Sequence, residues 1–242
     1  MILAAHTPDF FPALAVFQKM LSADVFVFGD DVQFSTHAQT NRARINTSEG
    51  PKWLTVPVLT KGLGPQPVKD IRIANHIDWR KNHWRTLAVN YQQSAYFEKF
   101  DLYLEQIYRK EWRFLIDLNF ELLEFARREL EIDIQNRLSS EISPGGSGTP
   151  KILQIARKLK CKTYLCEADS LRFLDSAMFL RENMRLQSSE FRVPQYHQQF
   201  GGFQPGLSIL DLLLNEGEVS RKLLEHGIIV ADRHSKITEE SR

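Results

Sequence analysis

The stretch Ile2-Leu-Ala-Ala-His-Thr-Pro-Asp-Phe-Phe-Pro-Ala-Leu-Ala-Val-Phe-Gln-Lys-Met-Leu-Ser-Ala-Asp-Val-Phe-Val-Phe-Gly-Asp-Asp31 decides the fold class of this chain. Its apolar start, residues 2–5, predicts a strand, and the apolar stripe that follows predicts a helix from about residue 11 to residue 22. Residues 24–28 form a short, aromatic-rich run, as found in strands that are buried on both faces of a parallel sheet. The stretch therefore predicts a βαβ unit, which is the building block of open α/β sheets.

The composition limits the class of protein. With 242 residues, 43% of them hydrophobic, the chain can bury a large core without disulfides or a structural metal. The formal net charge is +1, from 31 basic and 30 acidic residues. Such a balance creates no overall field that favours nucleic acid or an anionic membrane, so we expect a small polar substrate instead.

Cysteine usage and the N-terminus predict a cytoplasmic protein. Cys161 and Cys166 form neither a C-x-x-C pair nor a metal-ligand spacing, which fits a reducing compartment. Residues 1–6 lack the basic start of a signal peptide, and their apolar run ends after four residues. No apolar stretch approaches the length of a membrane span. We therefore expect neither a signal peptide nor a transmembrane helix.

The middle of the chain combines a hairpin, a glycine-rich loop and a long helical segment. Residues 41–46 and 53–58 flank a turn signal and predict two hairpin strands. Residues 61–67 form a Gly/Pro loop that is too long for a tight turn, and such loops often act as lids. A short strand over 70–73 leads into a helical segment from about residue 78 to residue 131, which we predict to form three helices, because its apolar residues recur with the helical period.

The remaining sequence continues the alternation of strands and helices. We predict a strand over 132–142, a helix over 151–159 with Thr149 as N-cap and Pro150 as first residue, a strand over 162–166, a helix over 176–183, a strand over 186–191 and a helix from Ser208 that is capped by Gly217. The expected fold is a single α/β domain over residues 1–230. It has a mostly parallel, Rossmann-like sheet flanked by helices, a helical insertion covering a cleft, and a polar tail over 231–242.

Six motifs follow one another in a fixed order. They are His6-Thr-Pro-Asp-Phe-Phe-Pro12, Asp24-Val-Phe-Val-Phe-Gly-Asp-Asp-Val-Gln-Phe34, Asn41-Arg-Ala-Arg-Ile45, Trp53-Leu-Thr-Val-Pro57, Trp79-Arg-Lys-Asn-His-Trp-Arg85 and Phe200-Gly-Gly-Phe-Gln-Pro-Gly-Leu-Ser-Ile-Leu-Asp-Leu-Leu-Leu-Asn-Glu-Gly217. In these motifs the chain resembles the WbqC-like family of bacterial proteins over nearly its full length. The family is named from a gene of surface-polysaccharide (O-antigen) clusters. The resemblance therefore implies a part in lipopolysaccharide biosynthesis, for which a transferase role is commonly presumed.

Two departures from the family pattern concern specificity. Thr7 stands where the family usually has Gln, and Cys166-Glu-Ala-Asp-Ser-Leu-Arg-Phe-Leu-Asp175 stands where it usually has a Gly-containing loop before Tyr-Leu-Asp. These two positions are where the family's substrate contacts carry over least directly. Cys166 ends a predicted strand and could act as a nucleophile, although buried cysteines usually serve as small hydrophobic residues.

His6 is the first candidate catalytic residue, and Asp30 and Asp31 accompany it. His6 follows the first strand, and open α/β sheets bind ligands at the carboxyl ends of their strands. A histidine there can act as acid or base or donate to a phosphate, whereas the alternative is a histidine that only supports the loop. Asp30 and Asp31 follow the second strand, where carboxylates can bind a cation, a hydroxyl or an amino group, with Gln33 as a neighbour. Turn capping by aspartate is the competing explanation.

The predicted hairpin and the first predicted helix carry candidate substrate contacts. Arg42 and Arg44 alternate along a strand and share one face with room for a phosphate or a carboxylate, and Asn41 precedes them. A solvated strand face is the alternative. Trp79 and His83 lie one helical turn apart, so they either contact the substrate or pack the helix on the sheet. We find no metal-ligand spacing around these residues and predict no metal site.

Two further segments combine glycine with polar side chains. Residues 145–148 could hold an anion with backbone amides, or they could be a flexible connector. The loop 195–205 contains His197, our second catalytic candidate, and Gly201 and Gly202, which allow a ligand to approach the backbone. Asp211 and Asn215 lie one turn apart on the next helix, and they form either a wall of the site or a buried hydrogen-bond network.

Three hypotheses about function follow. The first is a transferase acting on a nucleotide-linked or amino sugar, a phosphate-bearing small molecule: His6 is the acid or base, the two aspartates orient the reacting group, and Arg42, Arg44 and His83 bind phosphate. The second is a nucleotide-dependent ligase or adenylyl-transferring enzyme, for which a divalent cation bound with the nucleotide is the cofactor to consider. The third is a non-catalytic binding or assembly protein. Convergence of these polar residues in one cleft favours an enzyme, and scatter over the surface favours the third.

Overall fold

The computed structural model describes residues 1–232. Its strands are β1 (Ile2–His6), β2 (Val25–Phe28), β3 (Arg42–Ile45), β4 (Lys52–Thr55), β5 (Val58–Leu59), β6 (Arg72–Ile73), β7 (Gln135–Leu138), β8 (Thr163–Glu167), β9 (Arg185–Phe191) and β10 (Ile228–Asp232). Its helices are α1 (Leu14–Leu21), α2 (Trp79–Tyr91), α3 (Phe97–Arg109), α4 (Leu115–Glu129), α5 (Ser139–Ile142), α6 (Gly148–Lys158), α7 (Ser176–Arg181), α8 (Ile209–Glu216) and α9 (Ser220–His226).

The central sheet has six strands in the order β10-β9-β8-β1-β2-β7. Five of them are parallel to their neighbours, and only the edge strand β10 pairs antiparallel, with β9. This confirms the predicted mostly parallel α/β sheet. From β1 the chain builds β2 and β7 on one side and then crosses to β8 and β9 on the other. The direction of winding therefore reverses between β1 and β8, which makes this gap the topological switch point of the sheet.

The pleat of the sheet sends alternate residues into two separate cores. Ala4 of β1 and Phe26 of β2 join a core with α1, α4 and α8, whereas Leu3 and Val25 join a second core with α6 and α7. Because both faces are covered by helices, every residue of β2 is buried. His6 has the same parity as Ala4, so the strand end points its imidazole to the α1 face.

A long insertion between β2 and β7 packs on that same face. It begins with the predicted hairpin, in which β3 and β4 are antiparallel with Ala43 opposite Leu54. The pair β5 and β6 follows, and then the three helices α2, α3 and α4, which confirm the predicted helical segment. Leu87, Leu104 and Leu122 from these helices enter the core that contains α1. The insertion and the sheet therefore share one apolar interior.

Several predicted boundaries are wrong for local reasons. The first helix begins at Leu14 rather than residue 11, because Phe11 has a φ of +41° and Ala13 is extended. The strand predicted over 132–142 ends at Leu138, where α5 begins. The strand predicted over 70–73 is limited to Arg72–Ile73, since residues 68–70 form a 3₁₀ turn.

Two more expectations need correction, and one lies outside the description. Thr149 is not an N-cap: α6 already begins at Gly148, and the Thr149 hydroxyl accepts a hydrogen bond from the Asp175 amide at 3.0 Å. The strand β10 was not predicted. Of the expected polar tail, residues 233–242 lie outside the described residues. Within residues 1–232, no helix has both the length and the apolar composition needed to cross a membrane.

Candidate functional site

The ends of β1 and β8 bring two ionisable side chains together at the switch point. His6 is the last residue of β1, and Glu167 is the last residue of β8. The two strands are hydrogen-bonded neighbours, with Ala4 opposite Leu165, so both carboxyl ends meet at the same edge. In open α/β sheets ligands bind in the crevice at this position, because the connections leave it in opposite directions.

Both nitrogens of the His6 ring have partners. Nε2 lies 3.1 Å from Oδ2 of Asp9, and Nδ1 lies 3.2 Å from the ammonium of Lys19. The Lys19 ammonium also donates to Oε1 of Glu167 at 2.9 Å, and this oxygen is 3.9 Å from His6 Nδ1. These four residues, His6, Asp9, Lys19 and Glu167, are called the switch-point cluster below.

The contacts of the switch-point cluster determine where the histidine carries its proton. A lysine ammonium can only donate, so His6 Nδ1 must accept and is the unprotonated nitrogen. The hydrogen of the neutral ring is then on Nε2, where the Asp9 carboxylate accepts it. The geometry is that of a carboxylate-oriented histidine, in which the nitrogen away from the carboxylate has the lone pair.

Burial and charge keep the cluster compact and yet open at one side. The side chain of Lys19 is only 5% exposed, whereas those of His6 and Glu167 are 26% and 32% exposed. Burial alone would raise the pKa of Glu167, but the positive charge of Lys19 and the hydrogen bond from its ammonium lower that pKa and outweigh the effect of burial. Glu167 is therefore an ionised carboxylate beside an accessible imidazole.

The loop that follows His6 is fixed by a buried asparagine of α4. Asn119 donates from Nδ2 to the carbonyls of Pro8 and Thr40, both at 2.8 Å, and Phe10 donates its amide to Thr40 at 3.2 Å. These bonds fix the chain on either side of Asp9. The sharp turn at Phe11 then starts α1 so that Lys19 faces the sheet.

Asp30 and Asp31 occupy the next strand end and have separate partners. Asp30 is 1% exposed and accepts hydrogen bonds from the amide and the hydroxyl of Ser140, which places the first turn of α5. Asp31 pairs with Lys151 of α6 at 2.6 Å. Burial would raise the pKa of Asp31, but hydrogen bonds from Lys151 and Ser139 lower it overall. Both carboxylates thus lie at the same sheet edge as His6, already engaged by the protein.

Arg42 and Arg44 share one face of the hairpin, as expected, and an exposed tryptophan lies between them. Their guanidinium carbons are 4.7 Å and 5.8 Å from the ring centroid of Trp53, whose side chain is 42% exposed. Arg42 also donates to the carbonyls of His37 and Ala38. The two arginines therefore form a basic, aromatic surface.

Trp79 and His83 pack against each other inside the protein. Their rings are edge to face at 5.2 Å, and both side chains are buried. His83 Nε2 is 3.1 Å from the carbonyl of Thr55, and burial lowers the pKa of His83 to about 4. The ring centroids of His83 and Phe10 are 5.9 Å apart, so α2 packs against the loop that follows His6.

Asp211 is the centre of a buried network rather than an accessible wall. It is 0% exposed and accepts hydrogen bonds from the hydroxyls of Tyr91 and Tyr196, at 2.6 Å and 2.7 Å. Burial raises the pKa of Asp211, although the two tyrosines oppose that effect. Asn215, also buried, donates to the Asp211 backbone carbonyl at 2.8 Å. Of the two alternatives considered for this pair, the arrangement is the hydrogen-bond network.

The remaining candidates lie in different surroundings. Asn41 is buried and donates to the Val56 carbonyl at 2.9 Å, while Thr7 is half-buried next to His6. His197 is exposed, and its amide donates to Glu216 at 2.9 Å. Gly201 and Gly202 are exposed, and Gln33 lies on the segment after Asp31. The candidates therefore do not all meet in one cleft: His6, Asp30 and Asp31 lie at the carboxyl edge of the sheet, and the others lie around it. The group at the sheet edge favours an enzyme, whereas the separate positions of Arg42, His83 and His197 favour the binding or assembly alternative.

The sequence analysis missed three members of the switch-point cluster and one ion-pair partner. These are Asp9, Lys19, Glu167 and Lys151. A signal for Lys19 was present, because it is the only charged residue between Asp9 and Asp24 and lies in an otherwise apolar helix. Among residues 1–232, no group of three or more His, Cys, Asp or Glu side chains is arranged to hold a metal ion.

The strand order and the switch-point cluster together define a Rossmann-like α/β protein with a group of ionisable side chains at its topological switch point. This chain belongs to the WbqC-like protein family, which it matches over residues 7–223. It is also 30% identical to the uncharacterized protein Rv1507c of Mycobacterium tuberculosis (strain ATCC 25618 / H37Rv), over 211 residues that cover 86% of this chain and 91% of that protein. No solved structure matches the chain.

Proposed function

We propose that this protein is a transferase that acts on a nucleotide-linked or amino sugar in surface-polysaccharide (O-antigen) biosynthesis. The observation that carries this proposal is the accessible imidazole of His6, oriented by Asp9 at the switch point of the sheet. The sugar class rests on membership of the WbqC-like family. The proposal goes beyond what membership alone establishes.

In the proposed reaction, an amine or hydroxyl of the acceptor forms a bond to the transferred group while the bond between that group and its donor breaks. The donor departs with the electron pair of the broken bond, and His6 takes the proton of the attacking amine or hydroxyl. Nδ1 has the lone pair, so the incoming group would replace the Lys19 ammonium as its hydrogen-bond donor. Asp9 accepts from Nε2 and stabilises the imidazolium that forms. Glu167 Oε1 retains Lys19, which keeps the buried ammonium paired while His6 changes partner.

The phosphate of the substrate would lie towards the hairpin. The Arg44 carbonyl accepts from the Ser208 amide at 2.9 Å, and the next amide, that of Ile209, donates to the Pro12 carbonyl at 2.9 Å. These main-chain bonds join β3, the strand that carries the two arginines, to the residues just before α1. Guanidinium groups bind phosphate through forked hydrogen bonds, so Arg42 and Arg44 are the proposed phosphate ligands.

A transfer assay with His6→Asn tests this function. The protein is incubated with a panel of nucleotide-linked amino and hydroxy sugars and candidate donors, and products are followed by mass spectrometry. We expect turnover by the unmodified protein and a loss of about 100-fold or more in His6→Asn, the usual contribution of a general base. The matched control is His76→Asn, at an exposed histidine outside the cluster. Equal turnover in both variants would overturn the role of His6.

A second candidate, adenylyl or nucleotidyl transfer, is favoured by one specific feature. Lys151 lies in the first turns of α6, directly after the glycine loop 145–148, and pairs with Asp31 at the same sheet edge. A triphosphate could compete with Asp31 for Lys151 and for the backbone amides of that loop. Magnesium-dependent thermal stabilisation by a nucleoside triphosphate, lost in His6→Ala, would support this candidate over the sugar transferase. If neither substrate class binds or reacts, the non-catalytic alternative is favoured.

A further inference from the structure

A cavity of about 600 Å³ lies between the segment that follows Asp31 and the Gly/Pro loop. Ligand sites in proteins usually have volumes of 300 to 1,000 Å³, so roughly one sugar ring with its substituents fits. Two chain segments form the walls, and backbone bonds hold them together: the Phe34 amide donates to the Gln66 carbonyl at 2.8 Å, and the Val68 amide donates to the Val32 carbonyl at 2.9 Å. The loop expected to act as a lid is thus one wall of this cavity.

The lining of the cavity is polar but carries no charge among the described residues. The lining includes the side-chain amides of Gln33 and Gln66, the hydroxyls of Ser35, Thr36 and Thr60, and the aromatic ring of Phe34. The other four cavities that we describe are all lined by charged residues, for example Lys52 and Arg85 in one of about 310 Å³. A neutral lining offers no compensation for a buried phosphate or carboxylate, and it matches a ligand with several hydroxyl or amide groups.

One lining residue has an unused hydrogen-bonding group. Oε1 of Gln66 is a buried acceptor without a hydrogen-bond partner among the described residues. Buried acceptors of this kind cost free energy, so a turn of the Gln66 side chain that brings Oε1 to a donor of a ligand in the cavity would recover part of that cost. The ring of Phe34 supplies an apolar surface beside the amides, as expected for a ligand that has both hydroxyl groups and C–H faces.

The cavity is within reach of the switch-point cluster. The Gly29 amide donates to the His6 carbonyl at 2.9 Å, and Gln33 follows Gly29 after four residues. Four residues of extended chain span at most about 14 Å. A substrate that extends from His6 along this segment would place its neutral ring in the cavity.

We infer that this cavity binds the uncharged ring of a saccharide, which gives the proposed transferase a subsite for the neutral part of its substrate. The inference rests on the proposed function for its biological meaning, but binding of a saccharide can be measured without any transfer. Gln33, Gln66 and Thr60 donate to and accept from the ring hydroxyls, and Phe34 covers one face of the ring.

The test is a titration of the isotope-labelled full chain with methyl glucoside and with methyl N-acetylglucosaminide, followed by NMR. We expect millimolar binding, with shifts of the side-chain amide signals of Gln33 and Gln66. Thr60→Val removes one hydroxyl from the lining and should weaken binding at least threefold. The matched control is Thr86→Val, at a threonine that lines a different cavity.

Several outcomes overturn the inference. The first is that no NMR signal shifts at high glycoside concentration, or that only signals from other surfaces shift. The second is that Thr60→Val and Thr86→Val weaken binding equally. The third is that inorganic phosphate perturbs the signals of the cavity more strongly than the glycosides do. Failure of the proposed function is a separate result. Glycoside binding that persists in His6→Asn, without any detectable transfer by the unmodified protein, would retain the subsite and reject the transferase.

Discussion

His6 and Lys19 show how one contact with a buried lysine can determine which nitrogen of a histidine has the hydrogen. A neutral imidazole can have its hydrogen on either ring nitrogen, and the hydrogen-bond partners of the two nitrogens determine which form is present. Lys19 determines the tautomer of His6 because its ammonium cannot accept a hydrogen bond and lies 3.2 Å from Nδ1, so Nδ1 must be the acceptor. Asp9 reinforces the choice from the other side at 3.1 Å. A change at Lys19 is therefore expected to alter the tautomer of His6.

We predict that Lys19→Met changes the tautomer of His6. In the unmodified protein, ¹⁵N NMR of the neutral ring should show the hydrogen on Nε2 alone. Without the ammonium, Nδ1 loses its donor and lies near the Glu167 carboxylate, so the form with hydrogen on Nδ1 becomes populated. Methionine fills a similar volume in this buried position, which limits the structural damage.

The control for this prediction is Lys99→Met, at a lysine of α3 that pairs with Glu129 at 3.2 Å. That change should leave the His6 signals untouched. An unchanged tautomer in Lys19→Met would contradict the role assigned to Lys19, and the chemical shifts of the other histidines report whether the variant is folded.

The sequence predicts that His6 lies at the end of the first strand, and the structure places it there, but the sequence does not predict which distant side chains lie beside it. His6 was identified from a local rule, since a polar residue after a first buried strand lies at the ligand-binding edge of the sheet. Glu167 is separated from Lys19 by 148 residues, and only the strand order makes them neighbours. A sequence pattern also does not predict that two tyrosines, Tyr91 and Tyr196, donate hydrogen bonds to Asp211. Local patterns identify an edge, whereas pairing across it needs the topology.

At the scale of elements, α2 and the hairpin are held together by a neutral histidine. His83 of α2 reaches the Thr55 carbonyl at the end of β4, and its ring packs between Trp79 and Tyr108. Burial lowers the pKa of His83 from 6.5 to about 4. The contact between these two elements is therefore sensitive to pH, even though the side chain lies away from the surface.

We predict that His83 makes the protein less stable as the pH falls from about 6.5 to about 4. In that window the unfolded chain binds a proton on this residue and the folded protein does not, so acidification favours unfolding. The full effect is about 3 kcal/mol, because one pKa unit corresponds to about 1.4 kcal/mol. The free energy of unfolding, measured by urea denaturation at several pH values, should fall less steeply in His83→Gln than in the unmodified protein.

The matched control is His76→Gln, at an exposed histidine just before α2. It should follow the unmodified protein at every pH. Parallel pH curves for His83→Gln and the unmodified protein would show that His83 does not contribute in this way.

Elements were predictable where their pattern was long or strongly periodic. The run that became β2, the hairpin and the helical segment were all recognised, because buried strands and amphipathic helices leave clear patterns. The prediction for the stretch around β7 was wrong, because the chain forms the short helix α5 where a strand was expected. Asp30, from a distant loop, accepts a hydrogen bond from the amide of Ser140 and stabilises the first turn of this helix. Similarly, β10 is a strand only because β9 offers it an antiparallel edge. In both cases a tertiary contact overrides the local preference.

At the scale of the whole molecule, the question is whether the inserted segment and the sheet unfold together. Two observations favour a single cooperative unit. Residues of the sheet, the hairpin and α2 to α4 occupy one continuous apolar core. Asp211 of α8 is bonded to Tyr91 of α2, and the Tyr91 hydroxyl in turn accepts from the Asn46 amide at 2.9 Å, so three distant segments share one network.

The chain offers two natural probes for the two regions. All four tryptophans, at positions 53, 79, 84 and 112, lie in the inserted segment. The two cysteines, Cys161 and Cys166, lie on the sheet side, and each is only 3% exposed. Tryptophan fluorescence therefore reports the insertion, and the reactivity of the thiols towards a labelling reagent reports the sheet.

We predict that fluorescence and thiol labelling give the same urea midpoint, and that Tyr91→Phe lowers both midpoints equally. The variant leaves the Asn46 amide without its acceptor and removes one donor from the buried Asp211 carboxylate, at a cost of about 1–3 kcal/mol for a buried unsatisfied group.

Tyr103→Phe is the matched control. Its hydroxyl donates to the partly exposed Glu121 at 2.7 Å, and the loss should be smaller because a carboxylate that is open to water can replace this bond. If the two probes report different midpoints, or if Tyr91→Phe moves only the fluorescence transition, the insertion is a separate folding unit. The network around Asp211 would then stabilise the inserted segment alone, because coupling to the sheet would have moved the thiol transition as well.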